Sequence, residues 1–159
     1  MPRNRLHGVS IPGPNTPGEC GNQEENIMSI SITTFLRNVL NIDALVSGAA
    51  ALAMIVGAPL IAPLTSLPSG LLVGAGLVLV PWVVVLVMLA RRQTLSRLVM
   101  IDVVAVNALW VAASFGLLVS GYIAPNWLGV AFVAAQAITV AVLAELQFIG
   151  LRRAQAVAA

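Results

Sequence analysis

Arg91-Arg92-Gln93-Thr94-Leu95-Ser96-Arg97 is the only charged island in the middle of an otherwise apolar chain. On its N-terminal side, residues 44–90 contain no Asp, Glu, Lys, Arg or His; on its C-terminal side, residues 103–144 are equally free of charge. A single helix over the first window would run roughly 70 Å at 1.5 Å per residue, more than twice the ~30 Å hydrocarbon thickness of a bilayer. Each window therefore folds back once. Pro63-Leu64-Thr65-Ser66-Leu67-Pro68-Ser69-Gly70 and Gly121-Tyr122-Ile123-Ala124-Pro125-Asn126-Trp127 supply the turns. The expected spans are 43–63, 70–90, 99–120 and 126–148. Strands of a membrane barrel would alternate apolar with polar residues, and these runs do not, so helices satisfy the backbone. The predicted fold is an all-α membrane protein, four transmembrane helices in an up-down bundle of two hairpins.

Composition agrees. The chain has 159 residues, 59% apolar and 9% charged, with a mean hydropathy of +0.97; a soluble domain averages about 45–50% apolar and about 25% charged. The net charge of +2 is too small and too dispersed for a nucleic-acid-binding surface. Arg37, Arg91, Arg92, Arg97, Arg152 and Arg153 all flank one side of the four-span arrangement, and the two opposite turns carry no arginine. Positive flanks stay in the cytoplasm, which predicts cytoplasmic N and C termini and a cytoplasmic central loop.

Residues 1–29 form a polar tail rich in Pro and Gly, expected to be disordered; equally, Met28 is a candidate start with residues 1–27 upstream of it. Residues 30–42 place Ile32, Phe35, Leu36, Val39 and Leu40 at helical spacing. They read as an amphipathic helix in the interface, or more plainly as an extension of the first span. Residues 154–159 are a short C-terminal tail. Lone Cys20 offers no disulfide.

Ionisable and amide side chains are where chemistry would sit in such a chain. The candidate polar cluster is Asp43, Asp102, Asn107, Gln136, Glu145, Arg91, Arg92 and Arg97, with Asn41 and Gln147 able to reach the same layer. It reads either as a cytoplasmic-facing site for an ion, a proton or a lipid headgroup, or as ordinary helix chemistry. In the second reading Asp43 and Asp102 sit in first turns, where the helix dipole favours a carboxylate, Glu145 pairs with an arginine, and Gln136 with Asn107 and Ser114 joins helices by hydrogen bonds. One of Arg91, Arg92 or Arg97 is then expected to neutralise Asp43, Asp102 or Glu145. Small residues (Ala44, Gly48 and Ala51; Gly70 and Gly74; Ala105, Ala108, Ala112 and Gly116) predict close helix approach, and Pro59 and Pro81 predict local breaks or kinks.

What is missing from the spans narrows the function. The only histidine, His7, lies in the tail, there is no lysine, and no serine has a base to activate it. No enzyme activity, metal or cofactor is expected. Asn107-Ala108-Leu109-Trp110-Val111-Ala112-Ala113-Ser114 and Ala144-Glu145-Leu146-Gln147-Phe148-Ile149-Gly150-Leu151-Arg152-Arg153 resemble segments of the small four-span integral membrane proteins of bacteria, a likeness covering residues 33–155. It implies residence in the bacterial cytoplasmic (inner) membrane and brings no activity or substrate with it. The small multidrug transporters also have four spans, but their mark is a glutamate well inside the first helix; here that helix has only Asp43, expected at its edge, a departure from that pattern. The expected function is that of a structural or accessory membrane protein, with the lipid bilayer and a homo-oligomer or larger membrane complex as partners; the alternative is a small proton-coupled transporter using the helix-end carboxylates.

Overall fold

The computed structural model describes residues 29–158, so the tail, Cys20 and the reading of Met28 as a start lie outside the described residues. A short strand, β1 (Ser29–Ser31), leads into α1 (Thr34–Val56), then α2 (Ala58–Thr65) and α3 (Ser69–Ala90). The central island carries β2 (Thr94–Ser96), followed by α4 (Arg97–Val119) and α5 (Trp127–Ala158). Four helices are long and apolar enough to cross a membrane: Thr34–Val56, Ser69–Ala90, Arg97–Val119 and Trp127–Gln155. An all-α architecture with a helical-membrane-protein composition is therefore what these residues build.

The separate interfacial helix expected over 30–42 does not form. Ser29-Ile30-Ser31 instead pairs antiparallel with Thr94-Leu95-Ser96, with Ile30 opposite Leu95. Both central side chains are buried, against Leu36, Leu40, Leu86 and Met100. Polar–apolar alternation with one inward residue per strand is the pattern of a half-buried ribbon, and here it closes one end of the helix core. Thr33 then caps α1, its Oγ1 accepting from Leu36 N at 3.2 Å, and Ser96 caps α4, accepting from Leu98 N at 3.3 Å. Residues 34–42 are the first turns of α1 itself.

The first span ends earlier than expected, at Val56, and Gly57 separates it from the short α2. Pro59 lies in the first turn of α2, where its missing N–H costs nothing. Helix α3 runs through Pro81, which is exposed. At the far end α5 continues through Arg152 and Arg153, because Leu151 and Ala154 are buried against the ribbon end of the core. Arg152 lies over the Phe148 ring at 5.6 Å and Arg153 over Phe35 at 5.5 Å, both within cation–π range.

Helix α1 packs chiefly on α3, α4 on α5, and α1 and α5 meet between the two pairs. The close approach of α1 to α3 rests on a glycine that the small-residue pattern did not single out. A Cβ on Gly76 would lie 2.7 Å from Ile55 Cγ1 and 3.0 Å from the Ala51 carbonyl oxygen, whereas Gly70, Gly74 and Gly116 have nothing within 4 Å. Among the described residues no helix packs on Gly70 or Gly74; these glycines lie on the exposed face of α3. Gly76→Ala should destabilise the protein by about 1–3 kcal/mol through overpacking. Gly74→Ala should be neutral or stabilising by up to ~1 kcal/mol through helix propensity. Unfolding in mild detergent measures both, and equal effects would show that α1 and α3 do not pack this tightly.

Candidate functional site

Asp43 sits well inside α1, not in its first turn, and is fully buried. Among the described residues, the donors to its carboxylate are all neutral. Ser47, one turn on, donates its hydroxyl to Oδ1 at 3.1 Å. Asn107 of α4 donates Nδ2 to Oδ2 at 2.9 Å, and Gln147 of α5 donates Nε2 to the same oxygen at 2.6 Å. The Asn107 Nδ2 group also donates to Gln147 Oε1 at 3.0 Å. Asn107 is 2% exposed and Gln147 0%. Four side chains from three helices thus form one closed network, joining α1 to both helices of the second pair.

The expected cluster is brought together only in part. Asp43 and Asn107 meet, and Gln147, anticipated at the same layer, completes them. Ser47 is not among the expected cluster residues; its position one turn after Asp43, on the same helix face, is the sequence signal for its role. Asp102 lies beyond the first turn of α4 and is exposed, as are Glu145, Arg91, Arg92 and Arg97. The expected neutralisation of Asp43 by a central arginine is replaced by the amide network: Arg91 and Arg92 are exposed before β2 and Arg97 is exposed at the start of α4, while Asp43 is buried between helices. That loop is held by another arginine: Arg37 donates Nη2 to the Arg92 carbonyl at 3.3 Å.

Gln136 is half-buried and stands apart from the network, lining a cavity of about 300 Å³ with Ser47, Trp110, Phe132 and Thr139. A second cavity, about 280 Å³, is walled by Ser47, Leu79, Trp82, Asn107 and Trp110. A third of about 150 Å³ continues from Trp110 and Gln136 towards Leu67 and Leu117. Trp110 borders all three, so they form one row of packing gaps between the α1–α3 and α4–α5 pairs. The polar network borders two of them through Ser47.

At the opposite end Asn126 ties the pairs together. Its backbone N–H reaches Thr65 O at 3.2 Å and its Nδ2 reaches Leu64 O at 2.8 Å, while its Oδ1 caps α5 by accepting from Gly129 N at 3.0 Å. Among the described residues no three His, Cys, Asp or Glu side chains gather to hold a metal ion. Set beside known proteins, the chain matches no family model, no curated protein and no solved structure, so its own geometry is what speaks to the role of the Asp43 network.

Proposed function

We propose that this chain is a non-enzymatic integral membrane protein of structural or accessory type, whose Asp43 network locks two helical hairpins into one unit. In this reading it is an up-down bundle in the bacterial cytoplasmic membrane, with both termini and the Arg91–Arg97 loop in the cytoplasm, as the one-sided arginines favour. The observation that carries it is the closure of the network: among the described residues, each hydrogen bond to the Asp43 carboxylate comes from a neutral side chain, and the donors come from the helices that the lock must join. The broad apolar exterior, with Leu45, Leu52, Leu109 and Ile138 exposed, serves lipid and a second copy or larger membrane complex; no nucleic acid and no cofactor enter this role.

A second reading, proton-coupled transport, draws on one specific observation, the buried carboxylate beside cavities that all four long helices line. Chemical crosslinking in native membranes followed by mass spectrometry distinguishes the two. The lock reading expects a stoichiometric self-complex or a fixed larger complex, and proteoliposomes without pH-driven substrate flux. A chain that crosslinks to nothing, and that carries flux abolished by Asp43→Asn, would replace it with the transporter reading.

A further inference from the structure

We propose that Arg152 and Arg153, each seated on a phenylalanine ring, bind the headgroup phosphate of an anionic phospholipid where α5 leaves the membrane. Charge is the first argument. Residues 29–158 hold six arginines and three carboxylates, and one of the three, Asp43, is enclosed in its network. Asp102 and Glu145 are the exposed acids left against that surplus. The Arg37 guanidinium is turned to the Arg92 carbonyl and the Gln93 side chain. Arg152 and Arg153 are exposed instead, and each rests on an aromatic ring.

The second argument is how the two cations are presented. Arg152 Cζ lies 5.6 Å from the centroid of Phe148, one turn back on α5, and Arg153 Cζ lies 5.5 Å from that of Phe35, at the start of α1. A ring engages the flat face of a guanidinium and leaves its in-plane N–H fork open, and that fork matches a phosphate bidentately. Packing fixes the Phe35 seat. A Cβ on Gly150 would stand 3.0 Å from Leu36 Cδ1 and 3.4 Å from Phe35 Cδ1, so the bare glycine is what lets α1 close on α5 here. Both arginines are thus partly ordered before a ligand arrives, which lowers the entropy cost of binding one.

Depth is the third argument. Trp127, at the start of α5, is 76% exposed, and an exposed indole belongs to the membrane–water interface. From there the ~30 Å of hydrocarbon takes roughly 20 residues at 1.5 Å each, which brings the helix to Phe148. Arg152 stands about 6 Å further on, within a headgroup layer of roughly 5–7 Å, where lipid phosphates lie. Towards the membrane centre Val142 and Ile138 are exposed and apolar, a bed for acyl chains. Glu145, exposed one turn before Phe148, is the protein's own competitor for Arg152.

The test uses full-length, delipidated protein in a neutral detergent, titrated with dioleoylphosphatidylglycerol or dioleoylphosphatidylcholine and read by native mass spectrometry. Salt is held at about 0.15 M, where charges not in contact are screened. The proposal expects phosphatidylglycerol to bind about tenfold tighter than phosphatidylcholine, and Arg152→Gln with Arg153→Gln to lose about tenfold of that affinity. Arg91→Gln with Arg92→Gln removes the same charge from exposed arginines of the central loop and should cost less than about threefold. Phe35→Leu with Phe148→Leu keeps every charge and should weaken binding about threefold by unseating the guanidiniums; if that variant fails to fold, the comparison of the two arginine pairs decides. Glu145→Gln should bind as tightly as the native protein or tighter. Equal affinity for the two lipids would overturn the proposal, and equal losses in the two arginine pairs would reduce it to net charge and overturn it too. So would undiminished binding in the Arg152–Arg153 variant or in a folded phenylalanine variant, or weaker binding in Glu145→Gln.

Discussion

Asn107→Leu should lower the stability of the protein by about 1.5–3 kcal/mol, the range for losing a hydrogen bond to a charged or buried partner. Polar contacts between membrane helices average only ~0.6 kcal/mol, because the unfolded chain in the membrane finds other partners. The larger value applies here because one side chain serves two acceptors, Asp43 Oδ2 and Gln147 Oε1, and its loss leaves both in a fully buried site. The same logic makes a second variant informative. Replacing three of the four members by Asp43→Leu, Asn107→Leu and Gln147→Met leaves only the Ser47 hydroxyl, which can bond a carbonyl of its own helix, and buried networks exchanged for apolar side chains are often neutral or stabilising. The triple variant should therefore recover to within ~1 kcal/mol of the native protein. Unfolding in mixed micelles reads each step. A single variant unchanged within ~0.5 kcal/mol, or a triple variant less stable than Asn107→Leu, would show that the network does not hold the two helix pairs together.

How much of this was legible beforehand follows from which signals are local. The two charge-free windows and their proline-containing turns announce four helices, because span length and turn chemistry are properties of contiguous residues. The Asp43–Asn107–Gln147 network is not local: its partners lie 64 and 104 positions from Asp43. Helical periodicity says that such residues share a depth and is silent on which helix faces which. Asp102 and Glu145 were as good candidates by composition as Asp43, and only packing put one inside and two outside. The ribbon was legible in principle, since Ser29-Ile30-Ser31-Ile32 alternates, but a helical spacing running through Ile32, Phe35 and Leu36 competed for the same residues. Tertiary pairing with Thr94-Leu95-Ser96 decided it, and so the charged island became a strand whose Leu95 closes the core.

Gly129→Ala should be the most damaging alanine substitution at the other end of the molecule, at about 2–4 kcal/mol. A Cβ there would stand 2.3 Å from the Thr65 carbonyl oxygen and 2.8 Å from Pro125 Cβ. The oxygen belongs to the backbone of α2 and cannot rotate aside, so α2 and α5 must separate. That movement breaks the two bonds from Asn126 to Leu64 O and Thr65 O. Overpacking of this kind costs about 1–3 kcal/mol and each lost hydrogen bond about 0.5–1.5 kcal/mol, against ~1 kcal/mol returned by the better helix propensity of alanine. Because the clash and the Asn126 clamp oppose each other, the two are coupled: in an Asn126→Ala background, which itself loses a helix cap worth about 1 kcal/mol, the further cost of Gly129→Ala should shrink by at least ~1 kcal/mol. The Asp43 network lies at the other end of the junction between the helix pairs and should stay closed, so spin labels at Leu64 and Leu128 should move apart while labels at Asn41 and Phe148 keep their distance. Additive losses, or equal displacement at both ends, would mean that the helix pairs are joined by diffuse packing and not by these two separate points.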